Sequence, residues 1–225
     1  MSDVINKELQ LYIEQHIIPQ YDLLDESHSS IHVEQVIQNS FEIMTRYQVN
    51  QDMVYTVAAF HDIGMLYGRK LHEVKSKEIF ESDEYMRIYF SLDEIRIIGE
   101  AIEDHRASID YEPRSIYGKI ISEADRDIDF ERILIRTIQY AIQKKKITSQ
   151  SALIKEAYGY MNTKYGPDSG IVFWLNYSKN VNKLNHIHYL LRNKNDFEEI
   201  CNEIYQKEID RITIQNLLKR KSYDR

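Results

Sequence analysis

The stretch Ala58-Ala59-Phe60-His61-Asp62-Ile63-Gly64 puts a histidine and an aspartate side by side at the end of an apolar segment. Successive residues on a helix point about 100° apart, so a regular helix cannot aim both side chains at one spot. At a helix C-terminus, where the backbone unwinds, it can. The plainer alternative is a polar helix end with Gly64 as the stop signal. A shared site needs partners from elsewhere in the chain, and therefore a fold in which several helix ends converge.

The remaining sequence is suited to such a fold. Only seven glycines and three prolines punctuate 225 residues, while helix formers are plentiful, which predicts an all-α protein with short loops. A net charge of −7 argues against general nucleic-acid or acidic-membrane binding but permits a small phosphorylated ligand. With Cys201 as the single cysteine, neither an internal disulfide nor a cysteine-based zinc site is available, which suits a reducing cytoplasm. No apolar run approaches the ~18–20 residues that span a bilayer, and the N-terminus lacks a signal pattern.

Apolar spacing predicts a helix over 3–24 that Pro19 kinks or ends, then helices near 30–47 and 51–62, the latter capped by Asn50. A loop over 64–70 carries Arg69 and Lys70 beside the His-Asp pair. Helices follow near 71–82 and 92–106, with Ser91 and Glu94 forming a capping box. Another begins at Ser115 and runs through Asp125. Residues 130–143 and 149–164 read as helical, Lys144–Lys146 as a solvated connection, 171–175 as a short strand or helical turn, and 180–222 as two more helices.

Within this frame the chemistry-bearing residues fall at helix boundaries. His32 lies beside the buried stripe of its helix, four residues from His28. His72 follows Asp62 by ten residues. His105 repeats the pattern of a histidine next to an acid at the end of an apolar helix. Asp125 sits at the edge of a buried face, where a carboxylate is costly unless it binds a cation or pairs, for instance with Arg126. Imidazole and carboxylate donors without a thiolate suit Mn, Fe, Co, Ni, Zn or Mg. His186 and His188, two apart on one helix, face away from each other.

His32 in His-Val-Glu-Gln-Val, His61-Asp62 in Ala-Ala-Phe-His-Asp-Ile-Gly and Asp125 in Glu-Ala-Asp-Arg, in that order, resemble the HD superfamily of metal-dependent phosphohydrolases. The resemblance covers about residues 25–130. It implies an HD-like helical core over 25–145, preceded by an N-terminal helix at 1–24 that packs on it. A C-terminal helical extension at 146–225 is expected to join the same compact domain. It further implies that His32, His61, Asp62 and Asp125 bind a divalent metal. His72 and His105 would then add a second ion or bind substrate phosphate beside one. Met65 stands where some two-metal members carry a lysine, which argues against the cyclic-dinucleotide branch.

The activity so implied is hydrolysis of a phosphate ester of a nucleotide or other small molecule by metal-activated water. Asp62, His72 and His105 would be the catalytic groups. Arg69, Lys70, Arg106 and Lys119 would bind phosphate, with His28 and Arg126 behind the ligands. A non-catalytic nucleotide- or protein-binding module and a di-iron oxygenase are the alternatives, and a homodimer is left open.

Overall fold

The segment Gln51–Phe60 is buried along its whole length from Met53 onward, and it organises the N-terminal part of the chain. In the computed structural model, which describes residues 5–24, 28–106, 109–126 and 128–223 (side chains of the last helix through 211), ten α-helices are present and no strand is found among the described residues. They are α1 (Lys7–His16), α2 (Ser30–Met44), α3 (Gln51–Phe60), α4 (His72–Ser82), α5 (Leu92–Glu103), α6 (Ile116–Ala124), α7 (Phe130–Gln143), α8 (Gln150–Tyr165), α9 (Lys179–Arg192) and α10 (Lys194–Tyr223). The all-α fold expected from the sequence is the fold found.

Contacts divide the chain into two compact units, Met1–Asp127 with Phe173–Tyr177, and Ile128–Val172 with Ser178–Arg225. In the first, α2, α5 and α6 pack around α3, and α4 lies against α5 and the 3₁₀ turn Ile63–Tyr67. Small residues let this happen: Ala58 and Ala59 on α3 and Ala101 on α5 are fully buried, so neighbouring backbones approach closely. Ile98 and Ile102, one turn apart on α5, join Phe60 and Phe80 in the same core. Each such large side chain contributes about 1.5–3 kcal/mol when fully buried. The Ser91–Glu94 capping box forms on α5, with Ser91 N donating to Glu94 Oε2 at 2.9 Å. Asn50 accepts from Asp52 N and Met53 N at the start of α3.

Helix boundaries differ from the apolar pattern in a consistent way. The expected 3–24 helix stops at His16, and Ile18–Leu23 continues as a 3₁₀ helix with Pro19 at its start, because proline has no N–H to serve the α-helical ladder. Helices α3 and α5 end at Phe60 and Glu103, earlier than the expected 62 and 106. His61, Asp62 and His105 thereby fall just past helix ends, where the backbone is free to turn.

The second unit is a set of four helices. Phe130, Ile133, Leu134, Ile138 and Ala141 make one buried face of α7, which packs on α8 and α10. Thus α7, grouped with the 25–145 core in the sequence reading, shares its contacts with the C-terminal helices. Phe197 is fully buried, with Phe130 and Tyr158 edge-on at 5.7 and 5.3 Å between ring centres. Cys201 is buried, and burial pushes its thiol up to about 12. Residues 171–174 adopt neither strand nor helix. Phe173–Tyr177 belongs with the first unit, where Leu175 is buried with Val54 and Ile120.

Candidate metal centre

Histidine side chains become useful ligands only when one ring nitrogen is committed and the other left free. Here the helix ends supply the commitment. The last carbonyls of a helix have no partner within it. Ala58 O of α3 accepts from His61 Nδ1 at 2.7 Å, and Ile102 O of α5 accepts from His105 Nδ1 at 2.6 Å. His72 Nδ1 donates to Arg69 O at 3.0 Å. With Nδ1 donating in all three rings, each Nε2 presents a lone pair whenever its ring is neutral.

Those lone pairs converge on Asp62. This residue lies beyond α3 at φ −111° and ψ 6°, which lets its carboxylate swing to the same side as His61. Its Oδ1 sits 3.1 Å from His72 Nε2 and 3.2 Å from His105 Nε2. Its Oδ2 sits 3.5 Å from His61 Nε2 and 4.0 Å from His32 Nε2. Asp125 Oδ1, at the C-terminal end of α6, is 3.2 Å from His32 Nε2 and 3.7 Å from His61 Nε2. Two donor groups therefore share one carboxylate: His32, His61 and Asp62, with Asp125 alongside, and Asp62, His72 and His105.

Electrostatics inside the cluster are dominated by Asp62. Burial alone would raise its pKa, but His61, His105 and His72 hold it far below the usual carboxylate range. Asp125 is likewise opposed by burial and lowered overall, chiefly by the His32 hydrogen bond. Burial depresses His61, which stays a neutral base. Burial acts the same way on His105, yet the Asp62 carboxylate outweighs it and raises that imidazole.

Two features of this cluster are unresolved by protein atoms alone. His61 Nε2 is buried and has no hydrogen-bond partner, an arrangement that costs about 1–3 kcal/mol. His72 Nε2 and His105 Nε2 lie 3.1 Å apart, although each Nδ1 already holds its proton against a carbonyl. Two lone pairs at that distance repel unless a proton or a cation lies between them. A divalent cation would satisfy both, and a proton on the raised His105 would satisfy the second alone.

Backbone geometry carries His72 to the centre. Gly68, at φ 106°, and Leu71, at φ 58°, reverse the chain between Asp62 and α4. Gly64 permits α4 to close in: its N–H donates to Ser76 Oγ at 2.8 Å, and a Cβ there would lie 2.2 Å from His72 O.

Of the proposed phosphate contacts, Arg69 and Lys70 are exposed in the turn leading into His72. Arg106 Nη1 donates to Glu73 Oε1 at 2.8 Å. Lys119 pairs with Glu112. His28 lies 6.3 Å from His32 between ring centres. Arg126 stacks on Phe173 with its guanidinium carbon 5.4 Å from the ring centre. His186 and His188 lie on α9, in the second unit.

Three supporting residues carry no signal in the sequence strong enough to single them out. Tyr21, fully buried, donates to Ala59 O at 2.9 Å and accepts from Asp62 N at 3.3 Å, so it fixes the peptide that bears Asp62. Glu73 Oε2 is 3.3 Å from His72 Nδ1; an acid in a first helical turn reads as an ordinary dipole partner. Arg114 grips the buried Asp104 with its backbone N at 2.7 Å and Nη2 at 2.6 Å, which anchors the segment after His105. Asp104 itself was visible as the acid next to His105.

No helix of the described chain is long and apolar enough to cross a membrane. No curated protein and no solved structure matches the chain. Residues 30–127, which span α2–α6 and every donor of the cluster, match the family model described as HD domain. The fold and the converging histidines and aspartates agree with this match: residues 30–127 are similar to the HD domain.

Proposed function

We propose that the first unit is a metal-dependent phosphohydrolase acting on a phosphate ester of a nucleotide or other small molecule. The observation that carries this reading is the pair of donor groups sharing Asp62, with His61 Nε2 of the first group buried and unpartnered. His32, His61, Asp62 through Oδ2 and Asp125 would hold one divalent ion. Asp62, His72 and His105 would hold a second, at the place where the two Nε2 atoms approach each other. When bound, such ions polarise a phosphoryl oxygen and make water a competent nucleophile near neutral pH.

The chain's own residues supply the remainder. Asp62, kept ionised, accepts a hydrogen bond from the attacking water and orients it. The buried faces of α3 and α5 keep bulk water from the cluster. Arg69 and Lys70, which make no ion pair among the described residues, are placed to meet substrate phosphate. Arg106 and Lys119 would first have to leave Glu73 and Glu112. We assign the protein to a reducing cytoplasm on its single buried thiol.

The test is metal content of the purified protein, together with phosphate release from a nucleotide panel under Mn, Co, Ni and Mg. His61→Ala and Asp62→Ala are expected to lose bound metal and at least 1,000-fold in turnover, on the order of the ~4 kcal/mol that a principal electrostatic group supplies. Full metal and full turnover in both variants would show the site to be wrong. Iron-dependent oxygen consumption without phosphate release would identify an oxygenase. A folded protein inert with every ion would identify a binding module.

A further inference from the structure

Arg126 has features of an anion contact. It directly follows Asp125, yet Asp125 takes its hydrogen bond from His32 at 3.2 Å. The charge pair that adjacent Asp and Arg residues suggest is not formed. Among the described residues Arg126 makes no ion pair and no hydrogen bond through its side chain, and its Nε is buried without a partner. Its guanidinium instead lies over the ring of Phe173 at 5.4 Å. Phe173 is itself tethered, since Leu175, two residues on, is buried with Val54 of α3 and Ile120 of α6.

This combination is costly without a ligand. A guanidinium presents five donors in a rigid fork, and a buried donor left unmade costs about 1–3 kcal/mol. Stacking on one face blocks neither edge of the fork, so the ring presents the cation while its terminal N–H groups are left without a partner among the described residues. An arginine that only neutralised Asp125 would be paired with it.

We infer that Arg126 contacts an anionic oxygen of the substrate, and that Phe173 is the positioning residue that presents it. The ligand class is a phosphate or phosphoryl group, held by a charge-assisted fork. This rests on the phosphohydrolase reading for the identity of the anion, but the contact itself does not require an ion to be bound.

The probe is inorganic phosphate, titrated calorimetrically into the full chain, both loaded with Mn²⁺ and stripped with a chelator. Arg126→Gln is expected to weaken phosphate binding at least ten-fold, with Mn²⁺ stoichiometry and thermal midpoint unchanged. Arg126→Lys should recover part of the loss, and Phe173→Ala should weaken phosphate about three-fold. An unchanged phosphate affinity in Arg126→Gln overturns the inference. So does a loss of affinity that merely tracks a fall in thermal midpoint, which would make Arg126 a structural pin for the 173–177 segment. Wild-type protein that takes up no metal refutes the phosphohydrolase reading, and the stripped protein then decides the inference alone. Wild-type protein that binds phosphate in neither form overturns it.

Discussion

His61, His72 and His105 each commit their Nδ1 proton to a carbonyl three residues earlier, and that single bond sets their chemistry. The raised His105 has a testable sign. Without metal, its charged form is favoured by folding, so that contribution to stability is present below the ordinary histidine pKa and is lost as pH rises through the folded value. Metal needs the neutral ring, so its affinity must move the other way. Apparent Mn²⁺ affinity is expected to rise with pH across the range in which His105 gives up its proton, about ten-fold per unit for one displaced proton. Titration calorimetry at pH 6, 7 and 8 checks this, and His105→Gln should flatten the slope. The sequence disclosed His32, His61, Asp62, His72, His105 and Asp125 because their residue types at helix ends are costly without partners. Tyr21 and Glu73 stayed hidden because a tyrosine after a proline and an acid in a first turn are unremarkable when seen singly.

Helices α3, α5 and α6 deliver donors at their C-terminal ends, and α2 and α4 deliver them near their N-terminal ends. The periodic apolar spacing located all five. Their ends were harder to read, since the polar residues that follow the last apolar position, His61-Asp62 and Asp104-His105-Arg106, fit a further helical turn as well as a loop. The contact between Gly64 and α4 was also illegible, because it depends on a close approach that only three dimensions reveal. Gly64→Ala is expected to destabilise the fold by about 1–3 kcal/mol, as overpacking of a tight contact does, and to lower metal uptake by displacing His72. Urea denaturation and metal analysis of the same variant measure the two effects.

Every proposed ligand lies in the first unit, so metal should act on that unit selectively. At a free ion concentration a hundred times the dissociation constant, binding stabilises the liganded state by about 2.7 kcal/mol. Hydrogen exchange is expected to slow in α2–α6 on adding Mn²⁺ and to change little in α7–α10. Equal protection throughout would mean that the two units unfold together. At this scale the all-helical class was plain from the scarcity of glycine and proline. The division after residue 127 was not, because α7 carries an amphipathic face like any other and only its partners reveal its allegiance.

Asp62 is shared by both donor groups. Losing His72 or His105 would leave the four residues around His61 intact, and losing His32 or Asp125 would leave the other group whole. A substitution in one group would therefore leave the other with its donors in place. Asp62 alone belongs to both, so its replacement would take a donor from each group in a single step, and no other position in the centre has that reach.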